Sequence, residues 1–289
     1  PVFFENLSYL SEVEDTIFLS LTNKVSDLPK NVISTGVNSI SQLNTINEFI
    51  KSNEIKKTIF LTPDLHYKDE VKSAIKKSNI KIFKHYIYDI DPTKLTQQIE
   101  DLTNYKIRKQ NLVDEIKRIE NSDLEDKERR IKRLKKRYTI GNVDFDSIII
   151  SDFDESLKSV ITSFLYSDVS PKNKYFITFN QWFDKSLLSE NATQPIYFPS
   201  INKGNLDKFN SDFETKYNQK PNHLSLLSYD LLGLIYYLYI KTDFSDVNNL
   251  FKKENSFKGK IGIFDVKNNS IHHRLNFYKI ENNKFKEIF

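Results

Sequence analysis

A chain of 289 residues is long enough for one large domain or two ordinary ones, and its 38% hydrophobic and 13% aromatic residues can build a core, which excludes global disorder. Its 43 basic and 39 acidic residues leave a net charge of +4, too small a surplus to indicate an anionic partner by itself. The absence of cysteine excludes disulfides, thiolate metal sites and a cysteine nucleophile.

Extended apolar runs alternate with amphipathic segments of helical spacing over the first hundred or so residues. The pattern predicts strands at 15–24, 56–64 and 79–89 and helices at 38–53, 67–78 and 91–102. Asp91 and Pro92 suit the cap and the first turn of the last of these helices. Such alternation predicts a parallel sheet whose strands are connected by helical crossovers.

A charged segment at about 105–138 interrupts this alternation and predicts an inserted helical hairpin. Its helices are separated at Asn121, and Ser122 with Glu125 has the spacing of a capping box. Lys or Arg occupies eight of the eleven positions 127–137. A solvated face or a protein-docking arm is favoured over binding of nucleic acid or anionic lipid, because the segment has no interleaved aromatic residues and no recognised nucleic-acid motif.

The alternation then resumes, and the end of the chain changes character. Strands are predicted at 145–150 and 174–179, with helices at 154–167, 183–190, 204–218 and 224–242. No apolar run approaches the roughly 20 residues that cross a bilayer. The stretch after 258 predicts antiparallel strands with Asn-rich turns at 268–269 and 282–283. We therefore predict an α/β protein of two doubly wound lobes with mainly parallel sheets, an inserted charged helical hairpin and C-terminal antiparallel strands.

Three acidic residues, Asp152, Asp154 and Glu155, follow the predicted strand that ends at Ile150. Acids in the first turn of a helix satisfy unpaired N–H groups and complement the helix dipole. Capping is therefore the favoured role of Asp154 and Glu155. Asp152 directly follows the strand, where open α/β sheets hold their ligands, so it is a candidate ligand-binding residue.

Other polar and aromatic residues also follow predicted strands directly. If two lobes bring these strand ends together, hydroxyls, amides and aromatic rings line the mouth between them, and such a lining suits a small polar solute. The complete set of candidate ligand-binding residues is Ser20, Thr22, Asn23, His66, Tyr67, Asp152, Asn180, Gln181 and Trp182.

The sequence has none of the common signatures of catalytic or metal sites. It contains no Gly-rich phosphate loop, no HExxH and no GxSxG. His272 and His273 are adjacent on a predicted strand, so their rings point to opposite faces and do not chelate one ion together. We predict that the chain is not an enzyme and has no catalytic residue, metal site or cofactor.

Three long stretches resemble the second half of the type I periplasmic binding proteins, the Leu/Ile/Val-binding group. They are residues 145–184 (FDSIIISDFDESLKSVITSFLYSDVSPKNKYFITFNQWFD), 209–238 and 257–280. The hairpin followed by YTIGNVDFDSIII is similar to the branch of penicillin-binding protein activators. The resemblance implies a first lobe of residues 1–54 and 203–258 and a second lobe of 55–202 and 259–289. It also implies that residues 1–10 follow strands of the usual fold that precede this chain.

The activator branch implies a non-enzymatic, periplasmic scaffold that contacts a class A penicillin-binding protein. A lipid anchor ahead of this chain would attach it to the outer membrane, and no nucleic-acid partner is expected. The alternative is a transporter-type receptor for an amino acid or a similar small polar solute. Ser20, Thr22 and Tyr67 loosely match positions that hold ligands in amino-acid binders of the group, whereas Lys68 replaces a glycine of that pattern.

Overall fold

The computed structural model describes residues 8–13, 16–25, 28–242, 251, 255–260, 262–267 and 270–289. The predicted turn at 268–269 and the first seven residues lie outside these ranges. The strands are β1 (Phe18–Ser20), β2 (Val32–Ser34), β3 (Thr58–Pro63), β4 (Lys84–Tyr88), β5 (Ser147–Ile150), β6 (Tyr175–Thr178), β7 (Ile196–Ser200), β8 (Asn255–Lys258), β9 (Ile263–Lys267), β10 (Ser270–Arg274), β11 (Asn276–Glu281) and β12 (Lys284–Glu287). The helices are α1 (Ser39–Ser52), α2 (Lys68–Lys77), α3 (Pro92–Leu102), α4 (Tyr105–Glu120), α5 (Lys127–Leu134), α6 (Asp154–Tyr166), α7 (Lys203–Tyr217) and α8 (His223–Thr242).

The main sheet has seven strands in the order β12-β11-β7-β6-β5-β3-β4. The five neighbouring strands β7, β6, β5, β3 and β4 pair in parallel. Strand β11 pairs antiparallel with β7, and β12 pairs antiparallel with β11. The predicted α/β class, the mainly parallel sheet and the C-terminal antiparallel strands are therefore confirmed. The sequence pattern missed β2, which has only three residues, and β7, because its Pro199 argues against a central strand.

Helices cover both faces of the main sheet, and the strand periodicity decides which side chain meets which helix. Ile148 and Ile150 point to the face that packs on α3 and α6, whereas Ile149 points to the face that packs on α1 and α2. All three isoleucines are almost fully buried. The unbroken apolar run of β5 is therefore typical of a parallel strand with two covered faces.

Two smaller sheets lie outside the main sheet: the parallel pair β1-β2 and the antiparallel set β10-β9-β8. Ile33 of β2 and Phe264 of β9 share an apolar cluster with the second half of α8. The lobe boundaries predicted at residues 54 and 258 do not coincide with the division between the small sheets and the main sheet, and they differ from it at two places. Helix α1 packs on the main sheet through an apolar face that includes Phe49, and β9 and β10 pair with β8. The lobe limits themselves stay a prediction.

The inserted hairpin consists of α4 and α5, which pack through Leu112, Ile119 and Leu134. The predicted capping box is wrong, because α5 begins only at Lys127 and the Ser122 hydroxyl instead donates to the Ile119 carbonyl at 2.7 Å. The Ser122 side chain thus bonds to the last turn of α4, and a turn precedes the start of α5.

Helix α8 is, by length and composition alone, the one helix in the described part of the chain that could cross a membrane. The sequence pattern predicted no such segment. The core helix of a soluble protein passes the same test when it is mostly buried. Helix α8 buries Leu226, Leu227, Leu234 and Leu238 in the apolar clusters of the fold, but only 28% of the tested segment is buried.

Phe164 and Tyr166 lie at the end of α6 with opposite exposure, which gives a matched test of the core. Phe164 is fully buried against Phe145 and Phe176, whereas Tyr166 is 73% exposed. We expect Phe164→Ala to lower the free energy of unfolding by about 3–5 kcal/mol through the cavity it leaves, and Tyr166→Ala to change it by less than about 0.5 kcal/mol. Urea unfolding measures both. Equal losses would contradict the described packing of α6.

His273 of β10 links the small sheets to the loop after β2, because its Nε2 lies 3.1 Å from the Thr35 carbonyl oxygen. The residue as a whole is partly exposed, but burial of its ring lowers the pKa of His273 to about 4, against the weaker opposing effect of the Thr35 carbonyl. The folded state therefore favours the neutral imidazole.

Acid should destabilise the protein through His273, because the unfolded chain takes up the proton near pH 6.5 and the folded chain only near pH 4. Between these values we expect a loss of about 1–2 kcal/mol, allowing for solvent screening of the partly exposed residue. His273→Gln keeps an N–H donor but does not titrate. Urea unfolding of both proteins at pH values above and within this window measures the difference. If His273→Gln lost as much stability as the unsubstituted chain on acidification, protonation of His273 would not be the cause of the loss.

Candidate functional site

A cavity of about 540 Å³ opens at the carboxyl ends of β1, β2 and β6 and at the first turns of α1 and α8. It lies where the small sheets meet the main sheet, and we call it the cleft. Its wall is formed by Ser20, Leu21, Thr22, Asn23, Gly36, Val37, Gln42, Phe153, Asn180, Trp182, His223, Leu224 and Leu227. Five of the nine candidate ligand-binding residues are therefore brought together here: Ser20, Thr22, Asn23, Asn180 and Trp182.

The loops after β1 and β2 form one side of the cleft and touch through their backbones. The Gly36 N–H donates to the Thr22 carbonyl at 3.0 Å. A Cβ at position 36 would lie only 2.6 Å from that carbonyl oxygen and 2.8 Å from the Leu21 carbonyl oxygen. Only glycine allows this approach without a backbone shift. Gly36 therefore sets the shape of this wall, although the sequence pattern did not indicate it.

The hydroxyls of Ser20 and Thr22 accept backbone hydrogen bonds, so their own O–H groups can face a ligand as donors. The Thr22 N–H donates to Ser20 Oγ at 3.4 Å and the Lys24 N–H donates to Thr22 Oγ1 at 3.2 Å. Short local bonds of this kind fix hydroxyl residues in turns. This side of the cleft therefore presents hydroxyl donors on a fixed loop.

Asn180 forms the opposite side and is held in one orientation. Its Oδ1 accepts from the Ser200 hydroxyl at 2.8 Å and from the Trp182 N–H at 2.9 Å, and its backbone N–H donates to Gln42 Oε1 at 2.7 Å. The side chain is buried, yet its Nδ2 has no hydrogen-bond partner in the described part of the chain. An unpaired buried amide donor is costly, so a ligand acceptor that reached this Nδ2 from the cleft would stabilise the arrangement.

Trp182 and His223 close one end of the cleft with stacked rings whose centroids are 5.0 Å apart. Trp182 belongs to the loop after β6 and has a φ of 48°, a left-handed conformation that is strained for a large side chain. His223 begins α8. The stack therefore joins the main sheet to the helix that packs on the small sheets, and it places an indole face at the cleft.

Asp152 and Gln181 lie behind the wall rather than in it. The Asp152 carboxylate accepts hydrogen bonds from the Tyr88 hydroxyl, from the Ser156 hydroxyl at 2.5 Å and from the Phe153 N–H at 2.9 Å. Gln181 Nε2 donates to the Asp152 carbonyl at 3.1 Å. Burial, reinforced by the Asp152 carboxylate, raises the pKa of Tyr88, which keeps this tyrosine a proton donor. Asp152 thus orients Phe153, and it is Phe153 that reaches the cleft.

The expected capping by Asp154 and Glu155 takes a different form. Both occupy the first turn of α6, but no side chain provides a cap hydrogen bond there. Glu155 instead pairs with Lys158 at 2.7 Å. Of the three acids, Asp152 is therefore buried and holds Phe153 in place, whereas Asp154 and Glu155 lie in the first turn of α6.

His66 and Tyr67 follow β3 and do not line the cleft cavity. Their rings meet edge-to-face at 5.4 Å, and the Tyr67 hydroxyl donates to the Ser151 carbonyl at 3.3 Å. Burial, with a contribution from Asp152, raises the pKa of Tyr67. All nine candidate residues remain predictions as ligand contacts, but only the five in the wall share one cavity.

The wall of the cleft contains no Lys, Arg, Asp or Glu. It combines hydroxyl and amide donors with the rings of Phe153 and Trp182, and it includes residues from the first turns of α1 and α8. The first-turn N–H groups of Ser41 and Ser225 already donate to the side chains of Asn38 and Asn222, each at 2.9 Å. Among the described residues, no group of three or more His, Asp or Glu side chains could hold a metal ion.

The fold matches solved structures of substrate-binding proteins of ABC transporters. One from Desulfitobacterium hafniense, in complex with Leu, superposes with a TM-score of 0.59 at 12% identity. The match spans 96% of this chain and 76% of the D. hafniense chain. A putative branched-chain amino acid ABC transporter protein from Rhodospirillum rubrum gives a TM-score of 0.65 at 10% identity, covering 93% and 72%. A solute-binding protein from R. palustris, in complex with 4-hydroxybenzoate, gives 0.57 at 12%, covering 96% and 73%.

These likenesses establish the architecture, that of the type I periplasmic binding proteins, as the sequence resemblance implied. No family model matches the sequence, and no curated protein is significantly similar to it. At 10–12% identity, function does not follow from the fold alone.

Trp182 is the only tryptophan and therefore reports on the cleft by fluorescence. We expect His223→Ala to shift the emission to longer wavelength and to increase quenching by acrylamide, because the indole loses the ring that covers one face. His66→Ala removes a ring that meets Tyr67 edge-to-face, outside the cleft wall, and should leave the emission unchanged. An unchanged spectrum for His223→Ala would contradict the stack.

Proposed function

We propose that this chain is a non-enzymatic solute receptor of the ABC-transporter type that acts outside the cytoplasm and binds its ligand in the cleft. The proposal is supported by the architecture shared with substrate-binding proteins and by a cavity of about 540 Å³, which is within the usual range for small ligands. The observation that carries it is Asn180, a residue of the cleft wall whose buried Nδ2 has no hydrogen-bond partner in the described part of the chain while its Oδ1 accepts two hydrogen bonds.

The chemistry of the wall favours a small carboxylate with an apolar body over a free amino acid. The hydroxyls of Ser20 and Thr22 and the Asn180 amide offer donors to a carboxylate, and Phe153 and Trp182 offer apolar surface. An α-ammonium group would lose its water without gaining a carboxylate partner, which is costly. Leu and 4-hydroxybenzoate, the ligands of two structural neighbours, represent these two classes.

The resemblance to penicillin-binding protein activators favoured another role, contact with a class A penicillin-binding protein. The three neighbours described above are transport-associated proteins, and the cleft offers a site for a solute. These observations support the receptor first. Contact with a penicillin-binding protein stays a prediction from the resemblance.

Thermal unfolding with benzoate, 4-hydroxybenzoate or leucine tests the receptor. A ligand at about one hundred times its Kd should stabilise the folded chain by about 2.7 kcal/mol. We expect a saturable rise in Tm with at least one benzoate, a larger rise than with leucine, and a matching change in Trp182 fluorescence.

Asn180→Asp gives the matched variant, because it keeps the acceptor for Ser200 and Trp182 but replaces the donor with a negative charge. We expect it to weaken benzoate binding at least about tenfold. Asn202→Asp adds the same charge at the cap of α7, which aspartate also caps, and should bind as the unsubstituted chain does. Equal binding by all three proteins, or no saturable response to any of the solutes, would contradict the proposal.

A further inference from the structure

A second cavity, of about 580 Å³, lies between the end of the inserted hairpin and the loop after α6. We call it the basic cavity. It is lined by Arg108, Lys136, Arg137, Tyr138, Thr139, Ile140, Gly141, Asn142, Val143, Asp168, Val169, Ser170, Asn173 and Lys174. It shares no lining residue with the cleft. Four of its residues carry positive charge and one carries negative charge.

Three of the four cations are not neutralised by the protein. Lys136, Arg137 and Lys174 form no ion pair with a carboxylate in the described part of the chain. Asp168 does not serve them, because its Oδ2 accepts from the Thr139 hydroxyl at 2.6 Å and lies 3.9 Å from Arg108 Nη2. Positive charges around one cavity repel one another, and an anion bound there relieves that repulsion.

Arg108 gives an independent indication of a missing acceptor. Only 6% of the residue is exposed, and its Nη atoms donate to the Ser167 carbonyl at 3.0 Å, the Asp168 carbonyl at 3.1 Å and Thr139 Oγ1 at 2.8 Å. Its Nε has no partner in the described part of the chain. A buried guanidinium N–H without an acceptor is costly. The cavity wall thus contains a buried guanidinium whose Nε lacks an acceptor, beside three cations that have no carboxylate partner. One of them, Lys174, lies over the Phe145 ring, 5.9 Å from its centroid.

We propose that the basic cavity binds a soluble ligand that carries two or more phosphate groups. Each phosphate brings more than one negative charge and several acceptor oxygens, and guanidinium groups bind such oxygens well. Ser170, Asn142 and Asn173 add neutral polar groups to the same wall. A concave site of this volume fits a discrete ligand rather than a flat membrane surface. The proposal does not depend on the solute of the cleft.

Calorimetric titration of the full chain with sodium tripolyphosphate, at constant ionic strength of about 0.1 M to screen diffuse attraction, tests the site. We expect saturable binding to one site. Lys136→Gln/Arg137→Gln/Lys174→Gln should weaken it at least about tenfold, through loss of charged contacts at short range.

Lys127→Gln/Arg129→Gln/Lys132→Gln is the matched control, since it removes the same charge from exposed positions of α5 that do not line the cavity. It should change the affinity by less than about threefold, because charges far from the ligand are largely screened. Equal weakening by both triple variants would show diffuse attraction and overturn the proposal, as would the absence of saturable binding by the unsubstituted chain.

Two further titrations distinguish the chemistry and its source. Citrate at matched charge should bind more weakly than tripolyphosphate, and equal binding would overturn the assignment to phosphate. Tripolyphosphate should displace the chain from phosphatidylglycerol vesicles if any binding to them occurs. Vesicle binding that tripolyphosphate does not reduce would overturn the assignment to a soluble ligand.

Discussion

Burial of both faces of the main sheet is the constraint on which the rest of the structure depends. A parallel strand covered by helices on each side leaves only its two ends open, so polar groups collect where the strands stop. Ile150 of β5 is buried, and Asp152, two residues later, already accepts three hydrogen bonds. Thr178 of β6 is buried, and Asn180 follows it at the edge of the cleft. The small sheets add the loops of β1 and β2 to the same edge. The cleft is thus a consequence of strand direction, and its chemistry is decided by the few residues that follow each strand.

Asp152 and Asn180 occupy equivalent places after neighbouring strands but have opposite roles. The carboxylate of Asp152 is fully supplied by donors within the protein and therefore holds Phe153 in place. The amide of Asn180 is supplied only on its oxygen, which leaves a donor unpaired. A buried polar group that lacks a partner is the stronger indication of a ligand, because the free energy lost in its absence is recovered on binding. The function of the cleft follows from the group left unpaired, even though the acid is the more conspicuous residue in the sequence.

Sequence periodicity predicted most of the main sheet because β3, β5 and β6 are buried on both faces and read as unbroken apolar runs. The sequence pattern of Asp before Pro also predicted the cap at Asp91. The Asp91 side chain does accept hydrogen bonds from the N–H groups of Thr93 and Lys94. The sequence pattern did not reveal Gly36 or His223, because their importance comes from contacts with Thr22 and Trp182 that are distant in sequence. A glycine in the short loop between β2 and α1 and a histidine at a helix start give no local signal of such contacts.

Helix α6 connects the two cavities and explains how they stay chemically separate. Its start adjoins Phe153 at the cleft, and its end leads to Ser167 and Asp168 at the basic cavity. A helix of 13 residues is about 20 Å long, roughly two Debye lengths at physiological salt, so charge at one end has little effect at the other. Arg108 donates to the carbonyls of Ser167 and Asp168, where the end of a helix leaves carbonyl groups unpaired. This helix-end role accounts for the burial of Arg108 and for two of its contacts. It accounts for neither the unpaired Nε nor the three cations beside it, and those groups are what make the basic cavity a site in its own right.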